Sequence, residues 1–130
     1  MSLTYEISPA GDRVRIVGKE KMTTRACVRL AERVLTDPRC RADSTALIDL
    51  RDAVYEPKDL TEVLDIGREM DKFHSKLKNN IAIVAKRSML FPAELLCTYI
   101  RKATSVGIRV FVDAAAAEEF CAAPNVQHRR

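Results

Sequence analysis

Tryptophan is absent from this 130-residue chain, histidine occurs twice and glycine only four times. Each shortage excludes something. A serine, threonine or cysteine nucleophile needs a base beside it, and histidine is the usual one. His74 falls in a predicted helix beside Phe73 and Leu77, at the border of an apolar stripe, and reads as a packing residue. His128 lies in the polar C-terminal tail. With so little glycine there is no G-x-G-x-x-G, no Walker A loop and no G-x-S-x-G elbow. The turns between strands and helices lack the glycines that let a backbone close on a phosphate.

The four cysteines, at 27, 40, 97 and 121, form no C-x-x-C pair and have no histidine at a zinc-finger offset. Cys27 and Cys97 fall on apolar helix faces, which suits small, reduced core residues better than a disulfide or a metal site. No cofactor is expected. No apolar run approaches the roughly 20 residues of a membrane-spanning helix. The first residues show neither a basic nor an apolar signal region, so a cytoplasmic protein is expected.

What is present is ordinary for a globular domain: 47% apolar and 31% charged residues. The length suits one domain, read as residues 1–122 with a polar, flexible tail at 123–130. The net charge of +4 is unevenly spread. Residues 1–41 hold nine Lys/Arg against five Asp/Glu, and the remainder is balanced. Arg25, Arg29 and Arg33 recur at helical spacing and make one basic face. No aromatic or glycine-rich stacking element is interleaved with them, which weighs against a nucleic-acid partner and for a solvated surface.

Hydrophobic periodicity gives the elements. Residues 3–8 (LTYEIS) and 13–18 (RVRIVG) alternate around the turn PAGD and read as a β-hairpin. Thr23 and Thr24 are N-caps for a helix to about Leu35, with Cys27, Leu30, Ala31 and Val34 inward. TALIDL, residues 45–50, is nearly continuous apolar, as in a strand covered on both faces. Asp59 and Glu62 form a D-x-x-E capping box for a second helix, whose stripe is Val63, Ile66, Met70, Phe73 and Leu77. A strand at 81–86, a helix carrying Pro92, Leu95, Leu96, Tyr99, Ile100 and Ala103, a strand at 108–112 and a short helix begun by Asp113 complete the chain. The order is β-β-α-β-α-β-α-β-α. It predicts an α/β domain with a five-stranded mixed sheet, an antiparallel N-terminal hairpin joined to a parallel core, and about four helices.

This order, with one strand ending IDLRD and the last reading RVFVD before an Ala-Glu helix, resembles the SpoIIAA-like branch of the STAS domain superfamily over residues 3–122. The resemblance implies a small, non-enzymatic binding or regulatory module. Its implied partners are proteins, a second copy of the chain among them. The family shares its architecture with SEC14-type lipid-binding domains, which implies as an alternative a carrier or sensor of an apolar or amphipathic anionic ligand. One feature departs from the pattern. Anti-sigma-factor antagonists carry a phosphorylatable Ser at the start of the helix after the third strand. The corresponding residues here are Pro57-Lys58-Asp59-Leu60-Thr61, and Thr61 is flanked by carboxylates.

Two segments remain for a site. DLRDAVYEPK, from Asp49 to Lys58, reads as the loop after the third strand, and KRSMLFP, from Lys86 to Pro92, as the loop after the fourth. In a parallel sheet both lie at the carboxyl ends of their strands, where open α/β sheets bind ligands. If the strands are neighbours, Arg51 and Tyr55 face Lys86, Arg87 and Phe91 over one rim. Asp49 and Asp52, with Arg51 between them, read as an ion-paired cluster rather than an acid–base pair. Met89, Leu90 and Phe91 either fold onto the core as the entry to the third helix or form an apolar docking surface beside two cations.

Overall fold

A computed structural model describes residues 3–73, 75, 78–104 and 106–123. The predicted order is observed: β1 (Leu3–Ile7), β2 (Arg13–Met22), α1 (Thr24–Thr36), β3 (Thr45–Tyr55), α2 (Leu60–Asp71), β4 (Ile81–Val84), α3 (Leu90–Ala103), β5 (Ile108–Phe111) and α4 (Ala114–Ala122), with a 3-10 turn at Arg87–Met89 leading into α3. The strands lie side by side in sequence order. β1 pairs antiparallel with β2, and every later pair is parallel. The β1–β2 turn is closed by Gly11 at φ 74°, and a Cβ there would sit 2.4 Å from the Arg39 carbonyl.

Alternation along the strands builds two cores. Val14, Ile16, Ile48, Ile81 and Ile83 face α1, α2 and α3, while Leu47, Ala82 and Val84 face α4. Gly67 brings α2 onto α3, since a Cβ at that position would lie 2.5 Å from the Tyr99 ring. The helix starts follow their sequence signals. Thr23 accepts from the Ala26 N–H, Asp59 from Glu62 and Asp113 from Ala115.

Three differences from the sequence reading stand out. β2 and β3 both run about five residues further. Val17 faces Asp49 but Lys19 faces Asp52, so β3 carries one extra residue, a bulge that resets its alternation. Beyond the bulge Ala53 and Tyr55 are buried while Arg51, Asp52 and Val54 are exposed. Residues 51–55 are therefore strand, not loop. β1 begins opposite Gly18 and β4 ends opposite Asp49, so residues 19–22 and 52–55 form a two-stranded ribbon beyond them. Second, α2 stops at Asp71, short of Phe73. Third, Ala103, read in the stripe of α3, is exposed, while Cys97 and Ile100 on that helix are at 0% exposure. His74, Lys76, Leu77 and the tail from 124, including His128, lie outside the described residues.

Candidate functional site

β3 and β4 are neighbours, so the segments that follow them do approach each other. The Tyr55 N–H points at the Met89 sulfur, 3.4 Å away, where the two segments meet. The five rim residues are nevertheless divided. Arg51 makes a bidentate pair with Asp49, at 2.7 and 3.0 Å, on the sheet face that also carries Leu47. This side-chain hydrogen bond holds Asp49 below the usual carboxylate range. Tyr55 points the opposite way, into the core under α1 and α2, and is 8% exposed. The bulge is the physical reason for the split, because it separates two residues that strict alternation would have placed together. Lys86, Arg87 and Phe91 remain together on the turn into α3, and Phe91 is 67% exposed. The apolar triplet divides in the same way: Met89 is buried, Leu90 half-buried and Phe91 open.

Beneath this rim lies a cavity of about 150 Å³, lined by the sheet and the three helices on its face. Ile16, Ile48 and Ile83 form its floor, Leu30 and Val34 of α1, Val63 and Ile66 of α2 and Leu96 of α3 its walls. Its lower end meets Cys40, Ser44 and Asn79, and its upper end Tyr55 and Met89. Close packing normally leaves few voids larger than a water molecule, so a volume of this size needs an explanation. Nothing in the residues named the cavity in advance. It is the space left over by side chains from several elements far apart in sequence.

A short polar chain that the sequence also concealed runs from Tyr55, which lines the upper end, to α1 and α2. The Tyr55 hydroxyl lies 2.7 Å from Thr24 Oγ1, and Thr24 donates to Glu62 Oε1 at 2.7 Å. The Lys58 N–H donates to the other Glu62 oxygen at 2.6 Å. Glu62 thus completes the capping box on Lys58 and reaches α1 as well. The Thr24 hydroxyl and the Lys58 amide hold the Glu62 carboxyl below its ordinary range. Burial pushes the Tyr55 hydroxyl up. At the start of α2, Thr61 donates to Asp59, and Asp59 in turn caps the helix.

Other candidates are occupied. Arg13 and Arg15 line a hollow of about 300 Å³ near the β1–β2 turn, but both pair with Glu118. Of the α1 arginines, Arg33 stacks 5.6 Å from the Tyr5 ring, and all three are exposed. Burial pushes the Cys27 thiol up to about 11 and the Cys97 thiol to about 12, far from a reactive thiolate. Among the described residues no group of three His, Cys, Asp or Glu could hold a metal, and no helix is long and apolar enough to cross a membrane.

No protein-family model and no curated protein matches the sequence. A solved structure does match: an uncharacterised protein from Shewanella loihica, of the DUF3478 family, described as having a SpoIIAA-like fold. The two chains share 17% identity over 92% of this chain and 94% of that one, with a TM-score of 0.57. The chain has a SpoIIAA-like α/β fold. At this identity the likeness concerns the fold alone.

Proposed function

We propose that this protein is a non-enzymatic binding module whose ligand is a small apolar or amphipathic molecule held between the sheet and α1, α2 and α3. The observation that carries this reading is the apolar cavity of about 150 Å³. Apolar cavities of roughly that volume stay dry and take up benzene or xenon. The groups that would argue for catalysis are committed elsewhere: Arg51 to Asp49, Glu62 to Thr24 and Lys58, and the buried Cys27 and Cys97 thiols to their neutral form. A thermal-shift series with benzene tests it. Saturable stabilisation is expected in the wild type and none in Ala93→Leu, which adds volume to the cavity wall. Equal shifts in both proteins would refute a cavity ligand.

A second reading, a regulatory module that docks a protein, draws on one observation. Phe91 and Leu60 are 67% and 52% exposed at the starts of α3 and α2, which pack together. With a second copy as the partner, sedimentation velocity shows a concentration-dependent dimer that Phe91→Glu abolishes. A monomer at all concentrations excludes that partner.

A further inference from the structure

The polar chain at the upper end of the cavity has a direction, and the direction selects a ligand. Thr24 Oγ1 has a single proton, and it is given to the Glu62 carboxylate. The Tyr55–Thr24 contact of 2.7 Å therefore runs from Tyr55 as donor to Thr24 as acceptor. The Tyr55 oxygen has spent its proton and keeps lone pairs, and no other hydrogen bond reaches it among the described residues. That oxygen stands at the end of a ring that borders the cavity. The charges that act on it are carboxylates, Glu62 and Asp65, with the neutral Cys27 thiol beside them.

We infer that the cavity ligand carries a hydroxyl group, as an alcohol or a phenol, which donates to the Tyr55 oxygen while its apolar body lies against Val63, Ile83 and Leu96. This rests on the cavity reading above and narrows it. A carboxylate head has no proton to donate and meets Glu62 as a like charge. An ammonium head can donate, but it loses its hydration in an apolar space where Glu62 is already engaged twice. A hydroxyl both donates and remains neutral.

Calorimetric titration of the full chain with benzene, phenol, benzoate and benzylammonium separates these cases. Phenol is expected to bind roughly 2- to 12-fold tighter than benzene, the equivalent of one neutral hydrogen bond. Benzoate is expected to bind weakest. Tyr55→Phe should remove the advantage of phenol and leave benzene unchanged. Thr24→Val gives an independent check, because it frees the Tyr55 proton and should shift preference toward benzoate. Tighter binding of benzoate or benzylammonium than of phenol in the wild type overturns the inference, as does a phenol advantage that survives Tyr55→Phe. Binding of benzene with no preference among heads overturns the hydroxyl assignment and leaves the cavity reading standing. Binding of none of the four overturns both.

Discussion

The two faces of the sheet are built from the same strands and packed in different ways. On the α4 face, Ala82, Val84 and Ala117 are all at 0% exposure, small side chains set directly against one another. On the opposite face the larger Ile48 of β3 and Ile83 of β4 border a cavity under three helices. The difference is one of span. A single short helix seats squarely on β3, β4 and β5. Three helices bridging a twisted sheet leave a gap along their length unless large side chains fill it, and Ala31, Ala46 and Ala93 do not. Small residues on the α4 face allow close contact, and small residues on the other face leave space.

Enlarging one alanine on each face separates these two kinds of packing most sharply. Ala117→Leu should cost about 1–3 kcal/mol, since a filled core must move to admit it. Ala93→Leu should stay within about 1 kcal/mol of the wild type, because its added carbons enter existing space. Urea midpoints measure both, and equal losses would erase the distinction.

The α4 face has a second device. Asn80, 2% exposed, donates to the Phe120 and Ala123 carbonyls at 2.8 and 2.9 Å and so ties the end of α4 to the start of β4. Asn80→Ala removes both of these bonds, leaving the Phe120 carbonyl only the Ala123 N–H, and should cost about 1–3 kcal/mol. Hydrogen exchange should speed up in α4 before α1. Uniform acceleration would show that α4 is not held separately.

On the cavity face, Tyr55→Phe removes one neutral hydrogen bond and should cost about 0.5–1.5 kcal/mol. Glu62 anchors that chain, and its folded pKa is depressed. Its contribution is therefore present at neutral pH and is lost as the pH falls through its folded value. In Glu62→Gln the acid limb of the stability–pH profile should flatten, and an unchanged limb would remove Glu62 from it.

Arg51→Ala should have the smallest effect, below about 1 kcal/mol, because an exposed pair with Asp49 is largely screened. A larger loss would show that the bulge depends on that pair. The thiols provide a check of a different kind. Cys27 and Cys97, raised by burial to about 11 and about 12, should resist alkylation at pH 8 in the folded protein. Their raised values favour the fold below the ordinary thiol pKa, and the benefit is lost as the pH rises through the folded values. Rapid labelling of either at pH 8 would contradict their burial.

Much of the fold was legible because periodicity is local. The alternation of Val14 and Ile16, the run from Ala46 to Ile48 and the spacing of Val63, Ile66 and Met70 each point inward by themselves. The bulge after Asp49 was not legible. One inserted residue in a charged stretch mimics a loop, so Arg51 and Tyr55 looked like companions although the sheet separates them. The polar chain joins Thr24 to residues 31 and 38 positions away, and no short-range pattern records such a pairing. The cavity is a deficit of volume, which only the assembled structure reveals.

A methyl NMR titration with benzene tests the binding cavity most directly. Saturable shifts confined to Ile16, Ile48, Val63, Ile83 and Leu96, with Leu47 and Val84 on the α4 face unmoved, are the predicted result. Shifts spread evenly over both faces, or none at all, would contradict a binding cavity between the sheet and its three helices.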